Sequence, residues 1–200
     1  MTTTTTALKQ FDPENPQLFV RRTIGLGWDL NLGALAVRLG LIRPDDSLPD
    51  LDPYVPARVR RALALAPLVG AATTIVAAGV VGVRARKLPK GWNSAFRPRS
   101  FASPAAALAA PIALSVGAAG LAQLSGKDDP GANVAASALA TGAQTMATGL
   151  VLAAARSAAR PDKPSLTVLA SILAYPVVGG GVTVGVVKAA LSELDTQLRS

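Results

Sequence analysis

The chain contains no cysteine and no histidine among its 200 residues. Without cysteine there is no disulfide, no thiol redox chemistry and no thiolate metal site. Without histidine the commonest metal ligand is missing, and so is the side chain best suited to proton transfer near neutral pH. Few enzyme classes survive both absences, and no nucleophile motif takes their place. The sequence therefore reads as non-enzymatic, with no cofactor and no catalytic, cofactor-binding or metal-ligating residue assigned. Aromatic residues make up 4% and charged residues 16% of the chain, the latter well below the roughly 25% of soluble domains.

Charge is also absent in blocks. Ala62 to Val83, Ser100 to Gly126, Pro130 to Ala155 and Pro164 to Val187 carry none over 22, 27, 26 and 24 residues. A helix needs about 20 mainly apolar residues to cross the hydrocarbon of a bilayer. A soluble helix of this length would show a charged face, and none of these does. The expected fold is all-α: an integral membrane four-helix bundle with spans over about 62–83, 103–124, 132–155 and 165–187, in a multi-pass protein of the cell membrane. The filling by Ala and Gly suits close helix approach in lipid. Around the four helices (58–189) the organisation reads as a disordered tail (1–10), a partly ordered polar N-terminal domain (11–57) and a C-terminal tail (190–200). The Thr-rich start lacks the basic, apolar and cleavage regions of a signal peptide.

The N-terminal domain holds the most distinctive polar stretch, FDPENPQLFVRRTIGLGWDLNL. Pro13 and Pro16 favour turns and bar a helix. Leu18, Phe19 and Val20 are extended-type residues, and the glycines around Leu26 permit a turn that presents Trp28. Arg21, Arg22 and Trp28 are candidate contacts to lipid headgroups, with the ring at the interface and the guanidinium on phosphate. From Asp12 to Leu32 the chain resembles a short domain of unknown function found in membrane proteins of Gram-positive bacteria, actinobacteria especially. Pro13, Pro16, Leu18, Phe19, Val20, Gly25, Gly27, Trp28, Leu30 and Asn31 match its pattern. Arg21 replaces a proline, Thr23 a basic residue and Asp29 a threonine. The likeness spans about a tenth of the chain and implies a membrane setting without an activity.

Residues 29–41 can form a helix with Asp29 as N-cap and Gly40 near the C-cap. It serves either as an amphipathic interfacial anchor or as a packing helix against the first span. The acidic, Pro-rich linker after it (RPDDSLPDLDPYVP) has none of the spacing of a calcium loop.

The net charge of +8 sits between the apolar runs, with no basic face carrying stacking aromatics. It therefore implies no nucleic-acid partner. The loop RARKLPKGWNSAFRPRS interleaves six cations with Trp92 and Phe96, which makes Trp92, Arg97 and Arg99 candidate contacts to anionic headgroups. The expected partners are thus the lipid bilayer, anionic headgroups included, and other membrane helices or a second copy. Gln144 and Thr148 in the polar third span, with Pro176, Gly181 and Gly185 in the interrupted fourth, are candidates for helix packing or for lining a path. Loops one and three hold nine Lys and Arg residues and loop two holds one. This places the basic loops in the cytoplasm, while Arg58, Arg60 and Arg61 pull the N-terminal domain to the same side. A scaffold or accessory subunit is the leading function, and a small transporter or permease subunit the alternative.

Overall fold

The computed structural model describes residues 9–21, 27–125 and 131–199. The Thr-rich run through residue 8, Arg22, Thr23, Gly25 and the Lys127–Pro130 turn lie outside the described residues.

The polar start of the chain is folded. Strand β1 (Phe19–Arg21) pairs antiparallel with β2 (Trp28–Leu30), in a register that sets Phe19 opposite Leu30 and Arg21 opposite Trp28. Asp29 is therefore a strand residue and not a helix cap. Helix α1 (Leu32–Arg38) starts two residues later than expected, with Asn31 as its cap, and the chain leaves it through Gly40 at φ +67°. A one-turn α2 (Leu48–Leu51) and a 3-10 turn (Asp52–Tyr54) carry the acidic linker to the first long helix. The packing partner of α1 is the last long helix, not the first.

Four helices are long and apolar enough to cross a membrane: α3 (Ala57–Arg84), α4 (Pro104–Leu124), α5 (Ala132–Ala159) and α6 (Leu166–Arg199). Helix α6 runs on through the expected C-terminal tail. Between α3 and α4 the basic loop forms a second antiparallel hairpin, β3 (Leu88–Trp92) with β4 (Pro98–Ala102). The molecule is thus predominantly helical with two small sheets, rather than purely α.

Helix α5 is the axis of the assembly. It packs on α3, α4 and α6, and α3 and α4 also pack on each other. Among the described residues, α5 is the one long helix on which α6 packs extensively. The sequence of α5 explains this position: its most apolar window has the lowest mean hydropathy of the four, 1.3, yet is the most buried, at 50%. Its polar and small residues are tolerated because they face protein. Gly142 lies against the backbone of α6, where an added Cβ would be 2.5 Å from the Tyr175 carbonyl oxygen and 3.1 Å from the Gly179 nitrogen. Gly149, two helical turns on, meets Ser171 in the same interface.

Two apolar clusters close the ends. One joins Phe11, Leu32, Leu48 and Leu51 to Val134 and Val187. The other sets Leu88 of the second hairpin among Val81, Leu108 and Val151.

Candidate functional site

Three features carry the polar chemistry: a seam inside the bundle, a cationic end, and a side-chain hub in the N-terminal domain.

The seam is built by Gln144, which is 2% exposed. Its Nε2 donates to the Pro67 carbonyl of α3 at 2.6 Å and to the Ser115 carbonyl of α4 at 3.2 Å. One turn along α5, Thr148 shares a 2.8 Å hydroxyl contact with Thr74, which in turn accepts from Ser115 Oγ at 2.9 Å and donates to the Gly70 carbonyl. Three helices are stitched together by one amide and three hydroxyls. Two further threonines of α5 bond within their own helix: Thr141 donates to the Ser137 carbonyl and Thr145 to the Thr141 carbonyl, both at 2.8 Å. Such back-bonding satisfies a hydroxyl without a neighbour.

Gln144 Oε1 is buried without a hydrogen-bond partner among the described residues. It faces Gly70, where a Cβ would collide with it. The hydrogen that glycine carries in that direction offers a weak C–H···O contact instead. Gly70 is the residue that lets the amide lie flat between helices. Gln144→Leu removes both interhelical donations and should lower the heat resistance of the folded protein in detergent by about 1–2 kcal/mol, while leaving membrane insertion unchanged. An unaltered unfolding temperature would show that the seam does not hold the helices.

The second hairpin makes one end of the bundle basic. Arg84, Arg86, Lys87, Lys90, Arg97, Arg99, Arg156, Arg160 and Lys163 are all exposed, with Asp162 the one acid among them. These nine of the 20 basic residues and one of the 12 acidic residues amount to +8, the formal net charge of the whole chain. The remaining positions hold eleven of each sign. Near the opposite end Arg60 is paired with Asp52, Nη2 to Oδ2 at 3.2 Å, and its Nη2 also donates to the Asp52 carbonyl. Arg60, in the first turn of α3, is thus neutralised by the acidic linker, whereas the cations of the hairpin end have no ion-pair partner among the described residues. Trp92 is half-buried, with Nε1 donating to Ser157 Oγ of α5 at 3.1 Å. It fastens the hairpin to the bundle, while Arg97 and Arg99 remain on the outer surface.

The hub is Asn31, fully buried at 0% exposure. Its Oδ1 accepts from the backbone amides of Asp12, Gly33 and Ala34, and its Nδ2 donates to the Asp12 and Asn15 carbonyls, all within 2.8–3.2 Å. One side chain caps α1 and closes the Pro-rich turn around it. Gly33 is required beside it, since a Cβ there would lie 2.6 Å from the Pro13 nitrogen. The signal was in the sequence: an Asn directly before an apolar helical run is a strong N-cap. Trp28 is 64% exposed, with Arg21 facing it across the strands. Arg22 is outside the described residues.

The fold also brings an ionisable group beside a helix that has none in its apolar segment. Gln10 Nε2 donates to Asp29 Oδ2 at 3.1 Å, and Tyr175 Oη donates to Gln10 Oε1 at 3.3 Å. With Leu114, Met146 and Pro176 these residues line a cavity of about 310 Å³. Pro176 thus borders a cavity, whereas Gly181 and Gly185 touch nothing a Cβ would meet. Among the described residues, Gly70, Gly142 and Gly149 sit tightest against another long helix, and a Cβ at Gly179 would lie 3.4 Å from the Ala138 carbonyl oxygen. No group of three or more acidic side chains suited to a metal ion comes together among the described residues. Compared with protein-family models, curated proteins and solved structures, the chain matches none.

Proposed function

We propose that this chain is a non-enzymatic four-span protein of the cell membrane, acting as a scaffold or accessory subunit that packs with other membrane helices. The observation that carries this reading is the use made of the polar residues in α5. Gln144 and Thr148 are spent on neighbouring helices, and Thr141 and Thr145 on their own carbonyls. Thr145 is exposed and, with Thr141 and Thr148, borders an open groove of about 410 Å³ between α3 and α5, but the hydroxyl protons there are already engaged and no ionisable group joins them. The faces directed away from the bundle are rich in Leu and Val, with Leu65, Val69, Val76, Val83, Leu166 and Val177 exposed, as befits helices that meet lipid or other helices. The likeness of Asp12–Leu32 to a domain of Gram-positive membrane proteins points to the same setting.

In this reading the basic hairpin end lies on the cytoplasmic side against anionic headgroups, and the N-terminal domain lies across the membrane from it. A second reading, a small transporter or permease subunit, draws on Asp29, Gln10 and Tyr175 at the cavity beside Pro176.

Single cysteines separate these readings, and the absence of native cysteine makes the background clean. Ser94→Cys lies in the hairpin turn and Thr196→Cys near the end of α6, both at exposed positions. An impermeant maleimide applied to intact cells should label Thr196→Cys alone. Labelling of both positions would remove the spanning arrangement, and labelling of Ser94→Cys alone would reverse the orientation. Met146→Cys should stay unlabelled in the scaffold reading, because the cavity is then closed to water, and should label if a path exists.

A further inference from the structure

A second cavity, of about 390 Å³, lies between α1 and the outer face of α6, and no polar side chain contributes to its lining. Leu35, Leu39 and Leu41 form one wall, and Val177, Gly181 and Val184 the other. The groove is open, with Leu39 63% and Val177 70% exposed at its edges. Gly181 makes the space: nothing lies within 4 Å of where its Cβ would be.

We infer that this groove holds one acyl chain of a membrane phospholipid, an inference that rests on the membrane reading above. The dimensions and the charge argue for this occupant together. On α6, residues 177, 181, 184 and 188 fall on a single stripe, so Lys188, which is exposed, stands one turn beyond Val184 on the groove side. From Pro176 at the inner end of the groove to Lys188 is twelve residues of helix, about 18 Å. One leaflet of hydrocarbon is about 15 Å thick. A phosphate at the Lys188 ammonium therefore sets an acyl chain along the groove with its methyl end at Pro176. A partner polypeptide would leave any polar side chain or helix terminus placed there without a hydrogen-bond partner, since the walls offer none. A hydrocarbon chain asks for none.

The test uses the full chain in phosphatidylglycerol vesicles that contain a phospholipid with a diazirine near the end of one acyl chain. After illumination, adducts at Leu39 and Val177 should exceed those at Val69 and Val76 of α3 by about tenfold, the occupancy ratio that a preference of about 1.4 kcal/mol over bulk lipid gives. Gly181→Leu fills the groove from within. Because that position has open space, the protein should fold normally, lose the groove adducts and keep those on α3. Lys188→Glu should lower the groove adducts while leaving the cavity itself intact. Equal labelling of the groove and α3 would mean that ordinary surrounding lipid is all there is, and would overturn the inference. A disulfide dimer formed through Val177→Cys would also overturn it, by giving the groove to a second copy. Absence of adducts anywhere on the chain would reject the membrane reading together with the inference.

Discussion

Gly142→Leu will separate α6 from the rest of the bundle. The site is bounded by backbone, with the Tyr175 carbonyl oxygen 2.5 Å and the Gly179 nitrogen 3.1 Å from the position of a first side-chain atom. Backbone cannot rotate away as a side-chain tip can, so the two helices must move apart. Among the long helices α6 packs extensively only on α5, and its other support is the N-terminal domain, through Val186, Val187 and Ala190. Overpacking in a tight interface costs about 1–3 kcal/mol even for small additions, and an isobutyl group at this point should reach the top of that range or exceed it. The expected result is a form in which α3, α4 and α5 stay together while α6 becomes accessible to protease in detergent. Gly181→Leu is the matched control. It adds the same side chain to α6 itself at a position with open space, where leucine gains most of the about 0.8–1 kcal/mol of helix propensity that separates alanine from glycine. Equal stability of the two variants would show that the α5–α6 interface is not the tight one.

Asn31→Ala should unfasten the N-terminal domain. The substitution leaves three backbone amides and two carbonyls, at least two of the amides buried, without the side chain that served them. Loss of an N-cap alone costs about 1 kcal/mol, and each buried group left unsatisfied adds about 1–3 kcal/mol. A total of about 3 kcal/mol or more is expected. Hydrogen exchange at Gly33 and Ala34 should accelerate by at least two orders of magnitude, about 2.7 kcal/mol, while the amides of α5 stay protected. Asn31→Asp keeps an acceptor for Asp12, Gly33 and Ala34 but sets its second oxygen against the Asp12 and Asn15 carbonyls at a fully buried position, so it should not restore wild-type protection. If Asn31→Ala exchanged like the wild type, the hub would not be what holds residues 11–38 in place. The same variant bears on the acyl groove, because α1 is one of its walls.

The charge distribution shows how sequence and structure divided the orientation problem. Read linearly, the nine cations of the two basic loops and Arg58, Arg60 and Arg61 ahead of the first apolar run made opposing demands. In the fold, Arg60 is paired with Asp52 and the acidic linker is folded beside the start of α3. The cations of the hairpin end stand exposed with one acid for company. The linear string could not show this, because the neutralising partner is brought back to Arg60 by the 3-10 turn and the bend into α3.

The four apolar helices were legible because their signal is local. An uncharged run of more than 20 residues has one economical use, and helix length follows from it. The Pro-rich turn, the extended Phe19–Val20 segment and the glycine stop at Gly40 were legible for the same reason, since each is dictated by the dihedral preferences of a few neighbouring residues. Even the cap at Asn31 lay within reach of a local rule, though Asp29 is just as good a cap residue. Only the antiparallel pairing of Asp29 with Val20 removes it from the choice.

What the tertiary structure decided is which residues meet. Gly181 and Gly185 have the spacing of a packing motif and Gly142 and Gly149 do not, yet Gly142 and Gly149 are the ones pressed against another helix. Spacing along a helix fixes which residues share a face, but not which face another helix covers. Gln144 finds the Pro67 and Ser115 carbonyls 77 and 29 residues away, and Asp29 comes beside Tyr175 through Gln10. Such contacts depend on the summed packing of all four helices and the folded N-terminal domain, a non-local quantity that no window of the sequence contains.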